Sequence, residues 1–106
     1  MNKYILAADI GGTNSRFALF EYIDNQGLVM KDKIWLKTKE ASSFEHLIEK
    51  LKDSGFKKKI EKADIAIIAV AGPVKDNMYS FPPYIPWDVD LSKVIKKRSF
   101  KKRRIS

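Results

Sequence analysis

The 106-residue sequence predicts an α/β fold with the element order β-β-β-α-β. Three observations favour it: two turn signals separate three strand-like segments, an amphipathic helical segment follows, and a continuous apolar run comes after that helix. Because the connection to the apolar run passes through a helix, we expect the fourth strand to lie parallel to the first, with a right-handed crossover.

The three N-terminal strands are predicted from apolar segments bounded by turn residues. Residues 4–8 form a short apolar run, and residues 11–14 (GGTN) form the first turn signal. Residues 16–22 are mostly apolar on both faces, which is typical of a strand that is covered on two sides. A second turn at residues 24–27 leads into a third strand over 28–38, so the segment predicts a β-meander.

The helix is predicted from its start signal, its spacing and its stop signal. Ser42 and Glu45 have the spacing of a capping box, and Gly55 lies where a C-terminal cap belongs. Lysines 57–59 are interpreted as a solvated loop. The apolar residues of the segment recur at helical spacing, so the buried face is predicted to comprise Phe44, Leu47, Ile48 and Leu51.

The apolar run at residues 64–71 (DIAIIAVA) has the small and β-branched composition of an interior strand in a parallel pairing. It stops at Gly72-Pro73. The three further prolines that follow favour a loop or an edge strand, because proline cannot donate a backbone hydrogen bond.

Composition and charge exclude several kinds of protein. The chain is 44% hydrophobic and has no cysteine, so a packed core is feasible while disulfides and thiolate metal sites are excluded. No apolar run approaches the roughly 18 to 20 residues that cross a bilayer, so we expect no membrane association and a cytoplasmic location. The N-terminal run meets an aspartate and two glycines and is interpreted as a strand rather than a signal peptide.

The net charge of +8 comes entirely from the C-terminus. Eight of the 21 basic residues lie in residues 93–106, which hold no acid, and this leaves 13 basic against 13 acidic residues in the rest of the chain. We therefore divide the chain into a domain at residues 1–92 and a basic tail at 93–106, expected to be disordered or irregular. Nucleic-acid binding through this tail is the less favoured alternative.

The first turn has the composition of a phosphate-binding site. Two adjacent glycines permit positive φ and leave no side chain between backbone and ligand, and successive N–H groups in such a turn can form an anion site. Thr13 and Asn14 add a hydroxyl and an amide, and Asp9 is a candidate Mg²⁺ ligand. The alternative is a glycine-rich hairpin without a ligand. The turn lacks the GK[ST] ending of a Walker A loop.

Three segments of the sequence resemble bacterial-type glucokinases, which belong to the sugar kinase/actin/Hsp70 superfamily. The first is AADIGGTNSRFALF, similar to the first phosphate motif of that family. The second is DIAIIAVAGPV, similar to its fourth strand and the turn that follows. The third is Pro86-Trp87 with Val89-Asp90, and the resemblance extends from residue 4 to about residue 92.

The resemblance implies a ribonuclease H-like mixed sheet, the N-terminal lobe of a sugar kinase, and ATP-dependent phosphorylation of glucose to glucose 6-phosphate. It implies that Asp9 lies near Mg²⁺, holding it through water, and that Arg16 lies behind the turn. It implies that Gly72, Pro73 and Trp87 lie in the loop on the sugar side of the site. By the same resemblance, the phosphates of ATP contact Ala8, Asp9, Ile10, Gly11, Gly12, Thr13 and Asn14.

The sequence also departs from the family. The resemblance implies a catalytic aspartate in an Asn-Asp pair on the next strand, but the chain has no such pair and no acid after Asp90. Pro83 and Tyr84 stand where a Thr-Asn pair is usual. Family members are several times longer, so we expect an N-terminal portion that is inactive alone, with no catalytic residue of its own. The expected partners are a second copy of the chain, through self-association, or a complementary C-terminal lobe.

Two other interpretations stay open at this point: a non-enzymatic nucleotide-binding remnant or half of a split kinase, and, less favoured, a basic-tailed nucleic-acid binder. Four remaining residues are assigned structural roles: the tryptophan to packing, the histidine to a solvated or boundary position without a second ligand at metal spacing, and the two aspartates to a helix start, where the helix dipole favours acids. These residues are Trp35, His46, Asp88 and Asp90.

Overall fold

A computed structural model of the chain describes residues 3–70, 72–76, 79–80, 82–91 and 103–105. The strands are β1 (Lys3–Ile10), β2 (Asn14–Ile23), β3 (Gly27–Lys37), β4 (Ile65–Val70), β5 (Val74–Lys75), β6 (Tyr79–Ser80), β7 (Val89–Asp90) and β8 (Arg103–Ile105). The helices are α1 (Phe44–Leu51) and α2 (Lys57–Lys62). A 3₁₀ turn at Thr38–Glu40 precedes α1, and a π turn at Lys52–Phe56 joins α1 to α2.

The central sheet has five strands in the order β3-β2-β1-β4-β8. β1, β2 and β3 form an antiparallel meander, and β4 pairs parallel to β1 from Ile5↔Ile65 to Ile10↔Val70. The predicted α/β class, the meander and the parallel return of the fourth strand are therefore confirmed. The sheet brings the carboxyl ends of β1 and β4 to the same edge, where the glycine turn begins.

Both helices lie against one face of this sheet and complete the core. Phe17 and Leu19 of β2 and Ile68 of β4 are at most 3% exposed. All four residues of the predicted helical face are fully buried, so this prediction is confirmed. The helical side of the core is formed by Phe44, Leu47, Ile48, Leu51, Phe56 and Ile60.

The predicted limits of the helix need two corrections. The N-cap is Ser43 rather than Ser42: its hydroxyl accepts from the His46 N–H at 3.0 Å, while the Ser42 N–H donates to Nδ1 of His46 at 2.9 Å. Histidine thus fills the position at which the prediction placed a glutamate. α1 ends at Leu51, and Gly55, with φ of 97°, interrupts the helical backbone within the π turn that follows. Lys57–Lys62 then form α2 instead of a loop, because Ile60 anchors this segment in the core.

The opposite face of the sheet carries no described helix. Along β2, the side chains that alternate with the core residues point to this opposite face, and their partners on β3 lie on the same face. Sheets with parallel strands are usually covered on both sides. This open face instead exposes about half of each of four large apolar side chains: Tyr22, Leu28, Met30 and Trp35.

The C-terminal part of the described chain forms a small antiparallel sheet in the order β5-β6-β7. Residues 103–105, which belong to the predicted basic tail, form β8 and pair parallel to β4. The remaining tail residues, including Phe100, lie outside the described residues. Within the described part, no helix is long and apolar enough to cross a membrane.

Candidate functional site

The glycine turn connects β1 to β2 and is closed by one backbone hydrogen bond. The Gly11 N–H donates to the Asn14 carbonyl at 3.0 Å, directly after the last strand pair, Ile10↔Ser15. The Gly11 N–H is therefore already paired. The backbone N–H groups of this turn that could bind an anion belong to Gly12 and Thr13. The side chain of Thr13 is exposed.

Gly11 and Gly12 are glycines because the turn leaves no space for a side chain, not because the backbone has positive φ there. The described glycines with positive φ are Gly27 and Gly55, so the two glycines of the turn do not use the positive φ that glycine permits. A Cβ on Gly11 would lie 2.9 Å from the Asn14 carbonyl oxygen, and one on Gly12 would lie 3.1 Å from the Tyr84 carbonyl oxygen. A methyl group at either position would therefore require the neighbouring backbone to shift.

Two buried hydroxyl groups hold the turn from below. Thr38 donates its hydroxyl hydrogen to the Gly11 carbonyl at 2.7 Å, and its Oγ1 lies 2.7 Å from Oγ of Ser15. Since the carbonyl can only accept, Ser15 must be the donor to Thr38. The Thr38 N–H also donates to the Thr13 carbonyl at 3.0 Å. Both side chains are fully buried, so this chain of hydrogen bonds fixes the turn to the end of β3.

Sequence reasoning missed Ser15 and Thr38. Ser15 follows the turn directly and faces the core, which is a detectable signal for a buried hydroxyl. Thr38 lies 27 residues from Gly11, and only the pairing of β3 with β2 brings it there.

Asp9 and Arg16 are cross-strand partners on the open face, next to the turn. Arg16 therefore lies beside Asp9, and its guanidinium carbon is 4.7 Å from the centroid of the Trp35 ring. A groove of about 280 Å³ follows this face, lined by residues that include Asp9, Arg16, Lys33 and Trp35. The Asp9 carboxylate is exposed, and within the described ranges no group of three metal-ligating side chains surrounds it or any other position.

The predicted sugar-side residues lie in loops that pack against the glycine turn or each other. A Cβ on Gly72 would lie 2.9 Å from the Cα of Pro82, and the Pro73 carbonyl accepts from the Ser80 hydroxyl at 2.7 Å. Because Tyr84 in turn packs on Gly12, the proline-rich segment connects the turn after β4 to the turn after β1. The structure therefore brings together two of the predicted segments through backbone contacts.

Trp87 is half-buried and packs against the core. Its indole N–H donates to the Ala41 carbonyl at 3.0 Å, and its ring is 6.3 Å from the Phe44 ring, centroid to centroid. This hydrogen bond uses the polar group of the side chain, so Trp87 anchors the loop to the start of α1. Trp35 is exposed, not packed in the core as its predicted role implied, and Asp90 lies in β7.

The comparison with known families is decisive. The family model named Glucokinase matches residues 6–105. The chain belongs to the glucokinase family. The match extends beyond residue 92 into the basic tail, as far as residue 105.

Solved structures show the same fold. A glucokinase from an Antarctic psychrotroph is 27% identical with a TM-score of 0.75, over 97% of this chain and 31% of that one. A Leishmania braziliensis glucokinase is 18% identical with a TM-score of 0.73, over 97% of this chain and 29% of that one. A Balamuthia mandrillaris glucokinase in complex with glucose is 21% identical with a TM-score of 0.63, over 98% of this chain and 29% of that one. No curated protein matches. The chain thus spans about a third of these glucokinases, and the predicted N-terminal sugar-kinase lobe is confirmed.

Proposed function

We propose that this chain is the ATP-phosphate-binding part of a glucose kinase and that it does not transfer phosphate by itself. The observation that carries the proposal is the glycine turn, held from below by Thr38 and packed above against Tyr84, in a chain of the glucokinase family. A turn fixed on two sides keeps its N–H groups in place before the anion arrives, which is the condition for tight phosphate binding.

The donors available to the phosphates follow from the hydrogen bonds of the turn. Gly11 uses its N–H within the turn, so the backbone donors are those of Gly12 and Thr13. The exposed Thr13 hydroxyl and the half-buried Asn14 amide would add side-chain donors. Ala8 and Ile10 contribute through the backbone alone, because their side chains are buried in the core.

The Asp9 carboxylate is suited to hold Mg²⁺ directly or through water. It is exposed, and none of the described side chains forms an ion pair with it. Mg²⁺ in kinase sites is usually bound by one or two carboxylates together with phosphates and water, so one carboxylate fits this role. When bound, the ion would neutralise charge on the phosphates of ATP.

The second half of the reaction requires groups that this sequence does not contain. A general base must accept the proton of the sugar hydroxyl, and the expected Asn-Asp pair is absent from the sequence. Glucose as the sugar is supported by family membership and by the glucose in the name of one structural match. We infer that a complementary C-terminal lobe supplies base and sugar pocket, and that the cysteine-free chain acts in the cytoplasm.

A coupled assay for glucose 6-phosphate tests this proposal. The purified chain with ATP, Mg²⁺ and glucose should give no turnover above the protein-free blank, yet it should bind Mg²⁺–ATP. Addition of a separately expressed C-terminal two-thirds of a family glucokinase should restore turnover. Turnover by the chain alone would contradict the missing base, and ATP binding without any restored turnover would favour the non-enzymatic nucleotide-binding remnant.

A further inference from the structure

We infer that a second anion site, separate from the glycine turn, lies between α2 and the start of the sheet and takes a small molecule with a diphosphate group. A pocket of about 330 Å³ opens there. Its lining consists of Tyr4, Leu19, Lys31, Gly55, Lys58, Lys59 and Lys62. Four of these seven residues are lysines, three from α2 and one from β3.

The acids near the pocket neutralise only part of this charge. Lys31 Nζ lies 3.6 Å from the buried Glu21 carboxylate, and Lys59 Nζ lies 2.7 Å from that of Asp32. The hydrogen bond from Lys59, with a second one from the Lys33 N–H, holds the pKa of Asp32 below its ordinary value. A third carboxylate, that of Asp64, accepts from the Tyr4 N–H at 3.0 Å. These three carboxylates against four lysines leave one positive charge in excess around the pocket.

Aromatic rings hold two of the lysines in position. Lys62 Nζ lies 4.3 Å from the centroid of the Tyr4 ring, and Lys59 Nζ lies 4.8 Å from that of Phe56. Such contacts stabilise an ammonium group by about 0.5–1 kcal/mol at exposed sites. Lysines that are already ordered lose less conformational entropy when an anion binds.

The residue types indicate the class of ligand. Lysine binds phosphate as a point charge, whereas planar carboxylates are recognised best by arginine, and no arginine lines this pocket. Several ammonium groups around one space favour adjacent phosphates over a single charge. The volume is at the lower end of small-molecule cavities. Tyr4 supplies most of the apolar surface for an organic group, because Leu19 is only 3% exposed.

The pocket is distant from the proposed ATP-phosphate site. Tyr4 and Gly11 are separated by seven residues along β1, which corresponds to about 23 Å at the rise of a strand. One diphosphate group cannot occupy both sites, so the inference stands or fails independently of the proposed function.

An NMR titration of the ¹⁵N-labelled chain with inorganic pyrophosphate, without Mg²⁺ and at low salt, tests the site. We expect saturable amide shifts at Gly55, Lys58 and Lys62. The Lys58→Ala, Lys62→Gln double variant should weaken binding about tenfold, since it removes two of the positive charges that attract the anion. Lys57→Ala is the matched control, because Lys57 lies on the same helix outside the pocket lining and should leave affinity within twofold.

Two further ligands identify the source of the diphosphate and the specificity. ADP that binds more tightly than pyrophosphate at these amides would assign a nucleoside diphosphate that uses the Tyr4–Leu19 surface, while equal or weaker binding would assign the inorganic ion. Sulfate at equal ionic strength should give at most a tenth of the affinity. The inference is overturned if sulfate matches pyrophosphate, if Lys57→Ala weakens binding as much as the double variant, or if shifts occur only at residues 11–14.

Discussion

The hydroxyl of Thr38 donates to the carbonyl oxygen of Gly11 at 2.7 Å, which connects the end of β3 to the turn between β1 and β2. Thr38 also accepts from Ser15, so one buried residue connects all three strands of the meander at their common edge. The candidate phosphate site therefore depends on a residue that would not touch the phosphate.

Thr38→Val tests this relationship. The substitution keeps the shape of the side chain but leaves the Gly11 carbonyl and the Ser15 hydroxyl without their partner, which should lower the free energy of unfolding by about 1–3 kcal/mol. Affinity for Mg²⁺–ATP should fall as well, because the turn is no longer fixed. Urea unfolding and calorimetric titration measure the two effects. Thr38→Ser retains the hydroxyl and should lie close to wild type; equal losses in both variants would contradict the role of the hydroxyl.

Gly12→Ala tests the contact between the turn and the proline-rich loop. The added Cβ would lie 3.1 Å from the Tyr84 carbonyl oxygen, closer than ordinary van der Waals contact. We expect a loss of about 1–3 kcal/mol of stability from this overpacking, with amide shifts at residues 83–86 in NMR spectra. If those shifts are absent, the loop does not pack on the turn.

The ion pair between Lys59 and Asp32 predicts a pH effect of known sign. Because the pKa of Asp32 is lowered by the folded structure, its stabilisation is present above the pKa of the unfolded chain, about 3.9, and disappears as the pH falls through the lower folded value. Lys59→Met should raise the pKa of Asp32 toward 3.9 in an NMR titration of the carboxyl carbon. Lys57→Met, which removes a charge outside the pair, should leave it unchanged.

The open face of the sheet predicts self-association of the isolated chain. Tyr22, Leu28, Met30 and Trp35 expose apolar surface on one face, and a contiguous apolar patch of this kind is typical of an association site. Met30→Lys should shift the chain toward monomer in sedimentation velocity, while Tyr84→Ser, which changes an exposed aromatic residue away from this face, should not. Since Arg16 and Lys33 make the face basic, added salt should strengthen the association; a monomer at all salt concentrations would contradict it.

The architecture could be predicted from local sequence because its signals are local. The turn residues at 11–14 and 24–27 delimit the meander, and Phe44, Leu47, Ile48 and Leu51 have the spacing of one helical face. α2 was missed because three consecutive lysines conceal a single buried residue, Ile60, which anchors that turn.

The candidate site was predictable only in its sequence-local part. Asp9 to Asn14 are contiguous, so composition alone indicates a phosphate turn. Thr38 and Tyr84 reach that turn only through strand pairing and loop packing, over separations for which no periodic signal exists. Trp87 was assigned to the sugar side by resemblance, whereas its indole N–H is bonded to Ala41, a contact that depends on the position of α1.

The most direct test of the central claim is an NMR titration of the ¹⁵N-labelled chain with Mg²⁺–ATP, read at the amides of the glycine turn. We expect saturable amide shifts at Gly12 and Thr13, and these shifts should be smaller in Asp9→Asn when Mg²⁺ is present. The shift at Gly11 should be smaller than those at Gly12 and Thr13, because the Gly11 N–H is bonded to the Asn14 carbonyl. Shifts confined to other parts of the chain, or no shifts at millimolar ATP, would contradict a phosphate site at this turn.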